Sequence, residues 1–244
     1  MAVSGGWVRI DTSPLASIRD LLAEMLDRHQ LDKPMKLAAF QVAQLQDVPN
    51  LNDKAAPNTR RLLELIKDFQ GIEEVPTPVN LHASLRAYQQ EGLNWLAFLH
   101  RYGLGGILAD DMGLGKTLQA LAFLQHLKEQ QKLTKPALII APTSLTGNWL
   151  HESQRFTPQL SVTLIHGSSR ASAFSSVMNS DVVVTTYPLL PRDIKHYQSL
   201  EFSVVILDEA QAIKNPTTKV AQSVRLLNSD MRICLTGTPL ENHL

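Results

Sequence analysis

Residues 113 to 117 have the types and spacing of a phosphate-binding loop. In the stretch GGILADDMGLGKTLQAL (105–121), an apolar run leads into acids and glycines, and Gly-Lys-Thr then opens an apolar-periodic segment. Glycines let backbone N–H groups face a phosphate chain, while Lys116 adds a positive charge and Thr117 offers a hydroxyl to magnesium. The strict Gly-x4-Gly-Lys-Thr pattern has glycine where this sequence has Asp110. The alternative, an ordinary turn with a surface lysine, is disfavoured by the strand before the loop and the helix after it.

Two acids, Asp208 and Glu209, follow a second apolar run, SVVIL (203–207). A carboxylate at the end of a buried strand suits magnesium, which prefers oxygen ligands. The adjacent glutamate is then placed to orient or deprotonate an attacking water. By itself such a pair is more often a solvated turn. Together with the phosphate loop, it divides the work of nucleotide hydrolysis into charge neutralisation and water activation.

The elements that would position these residues alternate regularly in the second part of the chain. Short β-branched apolar runs occur at 105–109, 137–141, 161–165, 181–185, 203–207 and 232–236. Candidate helices between them begin at Ser84, Lys116, Ser144, Arg170, Pro188 and Thr217. This order predicts an α/β fold with a parallel sheet covered by helices on both faces. Ligands in such folds bind beyond the carboxyl ends of the strands, where both motifs lie.

Residues 1–78 are predicted to form a small helical accessory segment. Its helices are expected after Ser13 as N-cap, over 36–45, and over 59–69. The two prolines in VPTPVN (75–80) indicate a linker. We therefore expect a domain boundary near residue 79, with the nucleotide-binding lobe over 79–244.

Composition restricts the class of protein without identifying it. The chain has 23 basic and 23 acidic side chains, so a polyanion would have to be bound by a local patch. The single cysteine, Cys234, rules out a disulfide framework and is expected to be a small buried side chain. No apolar run reaches about 18 residues, and no signal peptide is recognisable. We expect an intracellular protein, cytoplasmic and nucleoid-associated in a bacterium or nuclear in a eukaryote.

Six segments together resemble one family of ATPases. They are LRAYQQEGLNWL, ILADDMGLGKT, IIAPTSLTGNW, VVVTTY, ILDEAQAIKNP and LTGTPLEN. Their order and spacing resemble the superfamily II helicase-like ATPases, in particular the SWI/SNF-type (sucrose-non-fermenting) DNA translocases, and bacterial members are most similar. Asp110 fits, because this branch usually carries Ala-Asp-[Glu or Asp]-Met-Gly-Leu-Gly-Lys-Thr. The resemblance covers residues 79–244 and implies a RecA-like lobe.

The resemblance also implies an ATP and Mg²⁺ site. Gln89, on the helix predicted to be capped by Ser84, would recognise adenine, and Gly92 one turn later would allow close approach to the base. The implied ATP-binding residues are Gln89, Asp110, Asp111, Met112, Gly113, Leu114, Gly115, Lys116 and Thr117. Thr117 and Asp208 would hold magnesium. Lys116, Asp208 and Glu209 would be the catalytic residues.

Further motif residues are predicted to contact DNA or to couple ATP to movement. Thr143 and Ser144 follow a strand at a helix N-terminus, where free N–H groups suit a DNA phosphate. The resemblance extends this contact to Thr185 and Thr186. Trp149 is expected to pack against the sheet. The implied coupling residues, which would sense the nucleotide state, are Gln211, Thr236, Gly237 and Thr238.

The main hypothesis is therefore the first lobe of a DNA-dependent ATPase that moves along duplex DNA and remodels protein–DNA complexes. The second lobe of the family, with its arginines, is absent from this sequence, so the chain by itself is expected to be nearly inactive. Two alternatives stay open: a non-catalytic docking module, and an unrelated phosphate-loop NTPase such as a small-molecule kinase. The kinase alternative leaves APTSL and LTGTP unexplained.

Overall fold

A computed structural model describes residues 71–111, 113–167 and 170–237. The helices are α1 (Ala87–Arg101), α2 (Lys116–Glu129), α3 (Thr146–Phe156), α4 (Arg170–Ala173), α5 (Leu190–Gln198) and α6 (Lys219–Arg225). The strands are β1 (Gly106–Leu108), β2 (Ala137–Ala141), β3 (Val162–Leu164), β4 (Val182–Thr186), β5 (Glu201–Asp208) and β6 (Asn228–Leu235). Short 3₁₀ turns span Thr143–Leu145, Phe174–Asn179 and Ala210–Ile213.

The six strands form one parallel sheet in the order β1-β6-β5-β2-β4-β3. The predicted parallel α/β fold is therefore confirmed. Every residue of β2 and β4 is buried. This explains their continuous apolar sequences, because a central strand with helices on both faces has no solvated side.

The alternating side chains of each strand supply two separate cores. On one face, Ala137, Ile139 and Ala141 of β2 join a cluster that contains α1, α2 and the ring of Trp149. On the other face, Leu138 and Ile140 join a cluster with α5 and α6 residues. The period of two along a strand thus places a helical layer on each side of the sheet.

The predicted boundaries that differ most from the structure are those of α1 and β6. Helix α1 begins at Ala87 with Arg86 as its N-cap, not at Ser84, because the side-chain carbonyl of Gln89 accepts from the Arg86 N–H at 3.0 Å. Strand β6 begins at Asn228, before the apolar run at 232. Its polar start pairs in register with β5, Asn228 opposite Glu201, through backbone hydrogen bonds that do not depend on side-chain polarity.

The proline-containing segment 75–80 is held against α1 and α2. The Val75 N–H donates to Asn94 at 3.0 Å, and Gln90 donates to the Val75 carbonyl at 2.8 Å. The Glu129 carboxylate accepts from the backbone N–H groups of Val79 and Asn80, each at 2.9 Å. These residues are therefore anchored and do not form a free tether.

The helices predicted after Ser13, over 36–45 and over 59–69 lie outside the described residues. The accessory segment 1–78 and the boundary at residue 79 stay predictions. Across the described ranges, no helix is both long and apolar enough to cross a membrane.

Candidate nucleotide-binding site

The register of the sheet brings the ends of three neighbouring strands to the same level. Leu108, the last residue of β1, pairs with Leu235 of β6, and Leu235 pairs with Asp208 of β5. Because neighbouring strands lie about 4.8 Å apart, the Cα atoms of Leu108 and Asp208 are roughly 10 Å apart. The loop after β1, the acids at the end of β5 and the loop after β6 therefore start along one edge, called here the carboxyl edge.

The loop after β1 turns into α2 at Gly115, which caps the helix in the left-handed region with φ 78°. An added Cβ at Gly115 would lie 2.7 Å from the side-chain nitrogen of Gln89. Glycine is therefore required both for this backbone conformation and for the approach of Gln89. No side chain of the described residues caps the start of α2, so its first N–H groups are available to an anion. Met112 lies outside the described residues.

The Lys116 ammonium lies inside this loop. Its Nζ donates to the backbone carbonyl oxygens of Asp110 at 2.7 Å and Asp111 at 3.0 Å. Among the described residues, no carboxylate forms an ion pair with Lys116. Its direct partners in the described part of the chain are neutral carbonyl oxygens, so a phosphate group would be a stronger partner.

Asp110, at the position of the first glycine in the strict motif, ties the loop to α2. Its Oδ2 accepts from Gln119 Nε2 at 2.8 Å, and Gln119 is fully buried. Gln119 in turn lies against Gly92, where an added Cβ would be 1.8 Å from its Oε1. The prediction that Gly92 allows close approach to a base was therefore wrong, because its neighbour is Gln119.

Gln89 lies beside the phosphate loop. Its Nε2 donates to the Leu114 carbonyl at 3.1 Å, and the Tyr88 hydroxyl donates to the same oxygen at 3.2 Å. The side-chain carbonyl of Gln89 meanwhile accepts from the Arg86 N–H. Both ends of the amide are thus bound within the protein. The recognition of adenine by Gln89 stays a prediction.

Asp208 is buried, with 7% of its surface exposed, and is held from several sides. Its Oδ2 accepts from the indole N–H of Trp149 at 2.9 Å, and its Oδ1 accepts from the Glu209 N–H at 3.0 Å. The Tyr187 hydroxyl donates to its backbone carbonyl at 2.7 Å. Burial raises the pKa of Asp208 above its usual value and the Glu209 charge adds to this, while the Trp149 N–H, the Glu209 N–H and Lys116 oppose it. The Lys116 charge is therefore near enough to this carboxylate to act on it.

Glu209 has a backbone conformation that is unusual for a side chain other than glycine. Its φ of 49° and ψ of 56° lie in the left-handed region, which costs on the order of 1–3 kcal/mol. The turn directs the chain away from β5 immediately after Asp208. The Glu209 Oε2 accepts from Gln211 Nε2 at 2.6 Å, so its carboxylate is oriented.

The predicted coupling residues Gln211 and Thr236 are in direct contact. The Thr236 hydroxyl donates to Gln211 Oε1 at 3.1 Å, and the Thr236 N–H donates to the Leu108 carbonyl at 3.1 Å. Gln211 therefore bridges the Glu209 carboxylate and the loop after β6, which contains Gly237. Thr238 lies outside the described residues, and the coupling role itself stays a prediction.

The residues predicted to contact DNA divide into two groups. Thr143 and Ser144 are exposed in the 3₁₀ turn before α3, at the carboxyl edge. Thr185 and Thr186 lie within β4 and are 0% and 1% exposed, so they do not present a surface to a phosphate. DNA contact stays a prediction for all four, and the geometry favours the exposed pair.

The donor set at the carboxyl edge fits magnesium bound together with a nucleotide. Thr117, at the start of α2, and Asp208 provide the hydroxyl and carboxylate oxygens that this ion prefers. Across the described ranges, no group of three or more acids, histidines or cysteines could hold a metal by itself. Magnesium commonly binds through one or two protein oxygens plus phosphate oxygens, which this edge can accommodate.

Sequence reasoning missed three contacts of this site. They are the Trp149 and Tyr187 hydrogen bonds to Asp208 and the Gln119 hydrogen bond to Asp110. Trp149 is 1% exposed and packs on the sheet as expected. The hydrogen bond to Asp208 could have been anticipated, because a buried tryptophan usually needs an acceptor for its indole N–H.

This chain is similar to proteins of a known family. The family described as the SNF2-related domain matches residues 88–244. The putative ATP-dependent helicase/translocase YwqA of Bacillus subtilis is 38% identical over 256 residues, covering 99% of this chain and 28% of its own length. The ISWI chromatin-remodeling complex ATPase ISW2 of Saccharomyces cerevisiae is 40% identical over 74% of this chain and 17% of its own length.

A solved structure has a similar fold. The Sulfolobus solfataricus SWI2/SNF2 ATPase core in complex with dsDNA matches with a TM-score of 0.65 and 42% identity. The match covers 70% of this chain and 35% of that chain. The chain thus spans a minor part of the length of each of these proteins.

Proposed function

We propose that this chain, which belongs to the SNF2-related domain family, is the ATP-binding lobe of a DNA-dependent ATPase. In this proposal, ATP hydrolysis moves the complete protein along duplex DNA and remodels protein–DNA complexes. The observation that carries the proposal is the register that places the phosphate loop and the Asp208-Glu209 pair on neighbouring parts of one edge.

The residues of this chain would share the work of hydrolysis as follows. Backbone N–H groups at the start of α2 and the Lys116 ammonium would bind the phosphates. Thr117 and Asp208 would hold magnesium, which when bound supplies charge neutralisation at the phosphate oxygens. Glu209, oriented by Gln211, would position a water and accept its proton.

Duplex DNA is the proposed partner because the Sulfolobus structure was solved with dsDNA. The exposed backbone at Thr143 and Ser144 is the proposed contact on this chain. Contacts to phosphates alone carry little sequence information, so binding should be insensitive to sequence and should weaken steeply with salt.

Movement requires a second lobe that closes on the nucleotide and shifts along DNA. An arginine supplied by such a partner is typically worth about 10³–10⁵ in turnover. We therefore expect the 244-residue chain to bind nucleotide and to hydrolyse it very slowly.

The test is ATP hydrolysis by a two-lobed protein containing this chain, measured with and without duplex DNA at fixed salt. A motor predicts turnover that duplex DNA stimulates at least several-fold. Equal turnover with and without DNA would instead indicate an unrelated NTPase, and no turnover in either condition would indicate a docking module.

A further inference from the structure

The indole of Trp149 is the side-chain donor to the Asp208 carboxylate. Trp149 lies 59 residues before Asp208 in the sequence, and its Nε1 is 2.9 Å from Oδ2 in a buried contact. The indole ring is 1% exposed and Asp208 is 7% exposed, so bulk water has little access to this hydrogen bond. A buried carboxylate whose donor is removed keeps the full cost of desolvation.

We propose that Trp149 is a positioning residue, which holds the Asp208 carboxylate in the orientation that magnesium binding requires. This inference rests on the proposed function, because it needs Asp208 to be a magnesium ligand. The Glu209 N–H fixes Oδ1 and the indole fixes Oδ2, so rotation of the carboxylate is restrained at both oxygens. Each carboxylate oxygen retains a second lone pair for a cation.

Trp149 links the Asp208 carboxylate to the turn that precedes α3. Trp149 is the fourth residue of α3 (Thr146–Phe156), directly after the turn that carries Thr143 and Ser144. The Thr146 hydroxyl donates to the Thr143 carbonyl at 3.0 Å, which joins the turn to the helix. A displacement of the turn would therefore move the indole that restrains Asp208.

Tyr187, directly after β4, restrains the same residue. Its hydroxyl donates to the Asp208 backbone carbonyl, while Trp149 acts on the side chain. Removal of the indole N–H should therefore leave the backbone of Asp208 in place and release only its carboxylate. The expected loss is in metal binding, and nucleotide binding without metal should be preserved.

The test combines metal affinity with a spectroscopic readout on the 244-residue chain. Mn²⁺, detected by electron paramagnetic resonance, replaces Mg²⁺ in titrations at saturating ADP. Trp149→Phe should weaken Mn²⁺ binding about 10- to 100-fold, the usual effect of losing a residue that orients a metal ligand. ADP affinity without metal should not change. Benzothienylalanine at 149 keeps the ring shape without the N–H and should give the same loss if Trp149→Phe folds poorly.

Indole NMR tests the contact itself. The chain has 3 tryptophans, so few indole signals need assignment. The Trp149 signal, identified by its absence in Trp149→Phe, should be protected from exchange and should shift in Asp208→Asn. Trp95→Phe is the matched control, since Trp95 packs against the same core, and should bind Mn²⁺ like the parent.

The outcomes separate the two proposals. If the parent chain binds Mn²⁺·ADP and both 149 variants bind it equally well, Trp149 is not a positioning residue and the inference is overturned. If the parent chain does not bind Mn²⁺·ADP at all, the proposed function fails, and the inference fails with it.

Discussion

At the scale of single residues, the site depends on side chains whose surroundings differ although they are adjacent in sequence. Asp208 is buried and bonded to Trp149, whereas Glu209 is partly exposed and bonded to Gln211. Burial suits Asp208 to hold an ion in a fixed position. Exposure leaves Glu209 accessible to the water that would attack the terminal phosphate.

Replacement of Glu209 by glutamine should separate binding from chemistry. Glu209→Gln removes a proton acceptor but keeps the shape, so hydrolysis by a two-lobed protein should fall about 10²- to 10⁴-fold. MgATP affinity, measured by titration calorimetry, should stay within about twofold, because no proposed phosphate contact is lost. Glu152→Gln on the exposed side of α3 is the control. Hydrolysis at the parent rate in Glu209→Gln would contradict the assigned role.

The residue types of the site could be predicted from the sequence, but their long-range partners could not. Lys116, Asp208 and Glu209 occupy recognisable motifs, and the register places them at one edge. Trp149 reaches Asp208 only because α3 packs on the sheet, and no local pattern specifies that contact. The Asp110 hydrogen bond to Gln119 was similarly not predicted, and the place of Asp110 in the ATP site stays a prediction.

At the scale of elements, α1 and α2 pack closely enough that one position requires glycine. A Cβ at Gly92 would lie 1.8 Å from Gln119 Oε1, and Gln119 is fully buried and bonded to Asp110. Gly92→Ala should lower the free energy of unfolding by about 1–2 kcal/mol, because overpacking outweighs the gain in helix propensity. Urea denaturation followed by circular dichroism measures this change.

Gly147 is the control position, because the same substitution there is expected to raise the free energy of unfolding. It lies in α3, and an added Cβ there would have no atom within 4 Å. Gly147→Ala should therefore stabilise the chain by up to about 0.5–1 kcal/mol. If both variants were equally stable, the proposed role of Gly92 in helix packing would be refuted.

A second prediction at this scale concerns the anchoring of segment 75–80 by Glu129. Partial burial raises the pKa of Glu129, but hydrogen bonds from Asn80, Gln125 and Val79 outweigh it, so the pKa is lowered. The folded state is therefore favoured by the ionised form. This contribution is complete above the unfolded value of 4.5 and is lost as the pH falls through the folded pKa.

Glu129→Ala should lower the free energy of unfolding at pH 7 by about 2 kcal/mol, since a charged acceptor of several hydrogen bonds is removed. The variant should also lose stability less steeply than the parent as the pH falls from about 5 through the folded pKa of Glu129. Glu152→Ala, which removes one exposed contact to Asn148, should change stability by less than about 0.5 kcal/mol. If the free energy of unfolding of Glu129→Ala and of the parent fell in parallel with pH, the anchoring role of the ionised Glu129 would be excluded.

The strands were more predictable than the helix starts, for a physical reason. Apolar runs such as 137–141 match β2 residue for residue because burial on both faces demands apolar side chains throughout. The start of β6 is specified by pairing with β5, which polar residues satisfy equally well. The start of α1 depends on Gln89, whose hydrogen bond to Arg86 replaces the expected serine cap.

At the scale of the whole molecule, the carboxyl edge gathers four of the motifs that the sequence singled out within the described residues. The phosphate loop, the acids, the exposed turn at Thr143 and the loop after β6 follow four different strands of one sheet. A parallel sheet brings together residues from distant parts of a chain, because all of its strands end at the same side. A second lobe facing this edge would contact nucleotide and DNA together.

The most direct test of this account is the contribution of Lys116 to MgATP affinity in the 244-residue chain. Titration calorimetry should show binding by the parent and about 10- to 100-fold weaker binding by Lys116→Ala, since a charge-assisted contact to phosphate is lost. Lys132→Ala, an equal change of charge just beyond the other end of α2, should bind like the parent. Equal MgATP affinity for the parent and Lys116→Ala would contradict the claim that this loop holds the phosphates.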